Sequence, residues 1–249
     1  MGLSPLGARG SVRGPLAGSP VALGYKIWGP WGNAAPYPNE AAIPLASVAE
    51  CWQPKPALSS LFPNALATDL ASSKVGIAHG GGLAQGGTGT TVWTSGSGWT
   101  FSTTNYFATS LLPNQSYSMF VQFSDAVSYN YYMCTCGTYQ AGKYFALFPT
   151  GSPADNNKYF SRGSTEKADA PKILSGNVAL VASTGYENGL PLVTFLPATF
   201  TATSPININA PGPGIERVQC LLVLNDSTIP NANQVANITY AMGLIAAAL

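Results

Sequence analysis

Between residues 91 and 225 the chain repeats one pattern: a short apolar or aromatic stretch, then a turn signal. Residues 116–126, SYSMFVQFSDA, show it best. Tyr117, Met119, Val121 and Phe123 fall on one face, and Ser116, Ser118, Phe120 and Gln122 on the other, which is the period of two that a pleated strand imposes. Further strands are predicted within residues 92–109, 129–139, 143–150, 158–163, 177–184, 191–196, 204–210 and 216–225. Turn signals separate them at Pro113-Asn114, Gly151-Ser152-Pro153, Asp155-Asn156-Asn157, Glu187-Asn188-Gly189 and Pro211-Gly212-Pro213-Gly214. Many short strands with regular turns predict an all-β chain, an antiparallel β-sandwich or jelly roll.

Composition agrees. Only 8% of residues are charged, against about 25% in an average soluble domain, and a helical protein would need Glu, Lys and Arg on its wet faces. With 46% hydrophobic residues in 249, there is enough apolar material for a sizeable core. The net charge of +1 excludes a basic nucleic-acid footprint. No stretch approaches the roughly 18 apolar residues of a membrane span, so no membrane insertion is expected. The opening MGLSPLGARG has no apolar h-region, so the chain reads as made in a cytoplasm. Near-neutral surfaces favour association, which points to copies of the chain packed as a homo-oligomer.

The organisation divides near residue 90. Residues 1–90 form a Pro/Gly-rich segment, with Pro5, Pro15, Pro20, Pro30, Pro36, Pro38 and Pro44 breaking helices and central strands. Yet Tyr25, Trp28, Trp31 and Tyr37 are large side chains that a disordered leader would lack. They are the candidates for an extended attachment arm docking on a neighbouring subunit; a floppy leader is the alternative. Residues 47–75 read as a short helix or an irregular segment. The run HGGGLAQGGTGTT, residues 79–91, lacks the Lys of a phosphate-binding loop and reads as a linker. Residues 91–249 form the main domain. It ends in the best helix candidate, with Asn231 as N-cap and Val235, Ile238, Met242 and Ile245 at helical spacing.

Few residues invite chemistry. Cys51, Cys134, Cys136 and Cys220 lack metal or redox spacing and read as buried free thiols. His79 is the one histidine, which speaks against Ser-His-Asp or Cys-His catalysis and against a metal centre. The acids are scattered; Glu166 and Asp169, the closest pairing, read as a solvated turn, so no enzyme is expected. Asp155, Asn156 and Asn157 form the one local oxygen cluster that could take calcium, and they equally suit a β-turn. Tyr129, Asn130, Tyr131 and Tyr132 are the best candidates for stacking on and hydrogen bonding to a sugar, with core or interface packing as the alternative. No cofactor is expected.

Three stretches carry a family resemblance: residues 98–126 (GWTFSTTNYFATSLLPNQSYSMFVQFSDA), 180–192 (LVASTGYENGLPL) and 218–242 (VQCLLVLNDSTIPNANQVANITYAM). Their order resembles concanavalin A-like (laminin-G-like) jelly-roll domains, especially those of phage virion proteins. The first matches the opening strands and the second a strand–turn–strand around Asn188-Gly189, residues apt for a type I′ turn. The third matches the closing strand and helix, with Leu224-Asn225 in place of Tyr-Asn and Gln234 where the family has Glu. Gly86-Gly87-Thr88-Gly89 also looks like the GGTG stretches of phage tail fibres. The resemblance implies a non-enzymatic virion protein, either a head decoration or a tail or fibre component. Its partners would be its own copies, other virion proteins and host-surface glycan. A glycan-binding adhesin of a cell surface and a glycan-degrading enzyme are the alternatives.

Overall fold

The computed structural model describes residues 26–56, 67–101, 104–126, 134–136, 144–148, 157–163, 165–171, 173–194, 202, 204–209 and 217–248, with the strands between 134 and 171 known largely by their backbone. Among the described residues fifteen strands make two sheets, accompanied by two α-helices. The eight-stranded sheet holds β1 (Val48–Trp52), β3 (Val92–Thr94), β4 (Gly98–Thr100), β6 (Ser118–Ser124), β11 (Gly176–Val181), β12 (Thr184–Glu187), β13 (Leu190–Thr194) and β15 (Arg217–Leu224). Its order is β13-β12-β11-β6-β15-β4-β3, with β1 also on β15. The seven-stranded sheet runs β10 (Thr165–Pro171), β9 (Asn157–Gly163), β8 (Tyr144–Phe148), β7 (Cys134–Cys136), β14 (Ile206–Ile208), β5 (Tyr106–Ala108) and β2 (Ala84–Gly86). The paired strands in both sheets run antiparallel. The fold is an all-β sandwich with a C-terminal helix.

The main core lies between the sheets. Met119, Val121, Phe123, Leu180, Val218, Leu221 and Val223 meet Phe107, Phe145, Leu147, Phe160, Ile206 and Ile208 there. Trp99, Phe101 and Phe107 pack edge-to-face, with centroids 4.9–6.3 Å apart, the geometry that ring quadrupoles favour. A second core covers the outer face of the eight-stranded sheet. Phe120, Ala179, Val181, Cys220, Leu222 and Leu224 point into it, against Val235, Ile238, Met242 and Ile245 of α2 (Ala232–Ala247) and against Ile27, Trp28, Trp31 and Ile43. Both alternate rows of β6 and β15 are therefore buried, which is why RVQCLLVL reads as an unbroken apolar run rather than alternating.

The helix begins as its sequence dictates. Asn231 accepts from the Gln234 N–H at 2.9 Å and the Gln234 side chain returns to the Asn231 N–H at 3.0 Å, a capping box. At the other end the buried Lys55 ammonium bonds the Ala246 carbonyl, placing a cation on the helix C-terminus; burial pushes the Lys55 pKa down. The hairpin β12–β13 turns on Asn188 (φ 48) and Gly189 (φ 81), both positive as a type I′ turn requires.

Three expectations change. Residues 48–52 are strand β1, not helix, because they pair with β15 from Val48↔Leu224 to Trp52↔Leu221; propensity yields to ladder pairing. The expected division at residue 90 is crossed by the β1–β15 and β2–β5 ladders, so residues 26–56 and 67–90 pack with strands beyond it. Glu166 and Asp169 lie within β10, paired with β9, rather than in a turn.

Candidate functional site

Three constructions among the described residues gather polar groups around the sequence's candidate segments. The first is built by the glycine run. After the short helix α1 (Leu70–Ser73), the chain folds back through a Val75↔Gly82 bridge, with Gly76 N–H on the Gly81 carbonyl at 2.9 Å. The resulting loop closes on the carboxylate of Glu50, which is 2% exposed. Its Oε1 accepts from the N–H groups of Cys51 (2.9 Å), Ala78 (2.9 Å) and His79 (3.2 Å), and Oε2 from Gly81 (2.7 Å). A Cβ on Gly76 would stand 2.1 Å from the Glu50 Cδ, and one on Gly81 2.7 Å from Oε2. Only glycine lets this backbone approach so closely.

The same loop covers the free edge of β1. Ile77 N–H donates to the Cys51 carbonyl at 2.8 Å, His79 Nε2 to the Val48 carbonyl at 2.8 Å, and Trp52 Nε1 to the Gly81 carbonyl at 3.0 Å. A sheet edge left open would template pairing with another chain; here a loop occupies it. Glu50 has both oxygens taken by backbone donors, so it is an anchor rather than a general base. His79 is likewise engaged through its ring with backbone.

The second construction is the N-terminal segment strapped across α2. Asn237 mimics a strand partner: Tyr37 N–H donates to its Oδ1 at 2.9 Å, and its Nδ2 donates to the Tyr37 carbonyl at 2.8 Å. Gln234 Nε2 donates to the Ala41 carbonyl at 2.9 Å. Asn231 and Asn233 each donate to the Glu40 carboxylate at 3.0 Å, and these two bonds, Asn231 first, hold its pKa below the usual carboxylate value. Of the arm candidates, Trp28 and Trp31 are buried against their own chain, Tyr37 is 45% exposed, and Tyr25 lies outside the described residues.

The third construction is at the β2–β5 pair. On the edge of the seven-stranded sheet, Tyr106 of β5 sits opposite Gly86 of β2. A Cβ on Gly86 would fall 2.3 Å from the Tyr106 Cζ and 2.6 Å from its Oη, so the far end of the ring lies directly on the Gly86 backbone. Gly87, at φ +80, brings its Cα against the Thr104 carbonyl, where a Cβ would clash at 1.9 Å. Thr88 and Thr104 share a hydroxyl–hydroxyl bond of 3.0 Å, and Gln85 Nε2 donates to the Gly89 carbonyl at 3.1 Å. GGTG is therefore part of strand β2 and the turn after it, packed against the partly buried Tyr106, rather than a linker. Phe107, its neighbour in β5, turns inward to the core.

From this strand pair one register row crosses all seven strands: Ala84, Ala108, Asn207, Thr135, Ala146, Ser161 and Glu166. It contains only small or polar residues. Asn207 and Ala108 are partly exposed, whereas Ala146 is fully buried.

The other sequence candidates do not join these sites. Tyr129, Asn130, Tyr131, Tyr132, Asp155 and Asn156 lie outside the described residues, and Asn157 opens β9 opposite Pro171. Among the described residues no three His, Cys, Asp or Glu side chains gather as metal ligands, and no helix is long and apolar enough to cross a membrane. Cys51 and Cys220 are buried free thiols. Sequence reasoning missed Glu50 and Tyr106. The close spacing of Gly76 with Gly80–Gly82, and of Gly86 with Gly87, was the available signal, since glycine crowding marks close backbone approach.

No protein-family model matches the chain, nor does any curated protein sequence. Solved structures do. Domain 4 of AbnA, an extracellular GH43 arabinanase from Geobacillus stearothermophilus solved in complex with arabinotriose, aligns at TM-score 0.56 and 16% identity, over 78% of this chain and 98% of that domain. Trypanosoma rangeli sialidase aligns at TM-score 0.55 and 10% identity, over 89% of this chain and 37% of the sialidase. At these identities the likeness is one of fold: this chain shares a β-sandwich with both.

Proposed function

We propose that the chain is a carbohydrate-recognition module without catalytic activity, and that Tyr106 on its Gly86 floor is a sugar-stacking platform. The observation that carries this reading is the far end of the Tyr106 ring resting on the Gly86 backbone, partly exposed, in a strand pair whose neighbouring residues carry the Thr88–Thr104 and Gln85–Gly89 bonds. A sugar presents one apolar C–H face and a rim of hydroxyls. An amphipathic aromatic with polar neighbours answers both. Domain 4 of AbnA, of the same fold and solved with arabinotriose, lends support. Tyr129, Asn130, Tyr131 and Tyr132 supply a second set of contacts.

The resemblance to phage jelly rolls sets the context. The module is exposed on a virion as a head decoration or a tail or fibre component, assembled in the host cytoplasm with its own copies and other virion proteins, where it binds host-surface glycan. Glu50, with its oxygens taken by backbone, supports recognition over bond cleavage.

The test is retention of the full chain on immobilised oligosaccharides, arabino-oligosaccharides included. Tyr106→Ala should weaken retention by at least about tenfold with the fold intact. Retention unaffected by Tyr106→Ala removes the platform, and release of shortened sugars makes the chain an enzyme. Antibody labelling of particles and cells checks the context: label at regular positions on particles supports the virion role, and label confined to cell surfaces replaces it with an adhesin.

A further inference from the structure

Two thiols remain unused by the recognition site. Cys51 in β1 pairs in register with Leu222 of β15, which puts Cys220 two residues along on the same face. Both side chains point into the second core, both are fully buried and both are reduced. They are diagonal neighbours across the β1–β15 ladder, within one buried cluster. An irregularity in β15 between Val218 and Cys220 lies beside the pair, where an extra residue bends the strand and adjusts how a side chain is aimed.

We propose that Cys51 and Cys220 are a latent disulfide that staples β1, the strand beneath the N-terminal strap, to the last strand of the sandwich. The pairing has a topological consequence. β1 pairs with β15 alone among the described strands, and it carries the strap whose Ile27, Trp28 and Trp31 cap the second core. A bond here closes the chain from residue 51 to residue 220, so β1 could no longer part from β15 while the rest stayed folded. Long closed loops are where cross-links restrict the unfolded chain most.

The pair is protected in the reduced form. Burial is the largest influence pushing the Cys51 thiol up, followed by the neighbouring Cys220, and the thiolate is the reactive species. Reaction therefore waits for the strap to lift. With a low-molecular-weight disulfide such as glutathione disulfide as oxidant, one protein thiolate attacks a glutathione sulfur and expels one glutathione thiolate. The second protein thiolate then displaces the remaining glutathione. Two protein thiols become one disulfide, the oxidant leaves as two glutathione thiols, and the protons from the protein pass to them.

The experiment incubates the full chain with glutathione disulfide, in buffer and in mild urea that opens the strap without unfolding the sandwich. Alkylation and peptide mass mapping then track all four cysteines. The expected result is a peptide joining Cys51 to Cys220, 2 Da lighter than the reduced pair, formed faster in urea. Oxidised protein should melt roughly 5–10 °C higher, with the gain reversed by dithiothreitol and absent in Cys220→Ala. If both thiols are still alkylated after the urea incubation, or stop at glutathione adducts, the proposal is overturned. Bonds to Cys134 or Cys136 instead overturn it too. The mapping needs no variant, so a misfolded Cys220→Ala leaves the test intact.

Discussion

The two sheets are built from the same kinds of residue and put to different uses. In the eight-stranded sheet, β6 and β15 bury both alternate rows, one against the opposing sheet and one against α2 and the strap. In the seven-stranded sheet, β14 and β5 bury one row and leave Asn207, Tyr106 and Ala108 partly exposed. A covering layer turns a strand into a continuous apolar run; a partly exposed row, as in β14 and β5, restores the alternation. The difference lies in what packs outside the sheet, not in the strands' own propensity.

The sharpest way to break this comparison is to cut one residue from each row of β6. Phe120 points to the outer core and Phe123 to the inner one, and both are fully buried. Phe120→Ala should cost about 3–5 kcal/mol in urea unfolding, as much as Phe123→Ala. A loss below about 1 kcal/mol would show that the outer layer is dispensable and that the two sheets are alike.

Glu50→Ala comes next. It would leave four backbone N–H groups without their acceptor in a buried site. The expected loss is about 3 kcal/mol, with faster amide exchange at Ala78, His79 and Gly81. Uncovering the β1 edge should also raise self-association, measurable by light scattering. Unchanged exchange in those amides would mean that the loop holds without its anchor.

The smallest effect expected is that of acid. Glu40 is held by Asn231 and Asn233, and its pKa is lowered in the folded state. Its contribution is thus present above the ordinary carboxylate range, near pH 4.3, and fades as pH falls through the lower folded value. Protection of the Tyr37 amide, measured against its intrinsic exchange rate, should fall over that acid window and stay flat in Glu40→Gln. A strap equally open at neutral pH would remove Glu40 from its attachment.

Much of this was legible in the chain. The turn chemistry of Asn188-Gly189, the Asn231 cap and the period-two rows of β6 are local signals, and each found its element. The apolar run of β15 was legible as a strand, but not as one sandwiched between two cores. The sites were less legible. Glu50 is answered by backbone N–H groups 28–31 residues away, and backbone donors leave no mark in side-chain identity. Tyr106 looked like one aromatic among many until pairing set it opposite Gly86.

By itself the sequence determined β6, β15, the closing helix and the Asn188-Gly189 turn, because these rest on periodicity, capping and backbone sterics acting within a few residues. Tertiary structure alone decided that the N-terminal segment straps the same domain, that the glycine run cages a carboxylate and that one tyrosine lies on a glycine floor. Each of those joins residues through register and close approach, and neither is fixed until the sheets have paired.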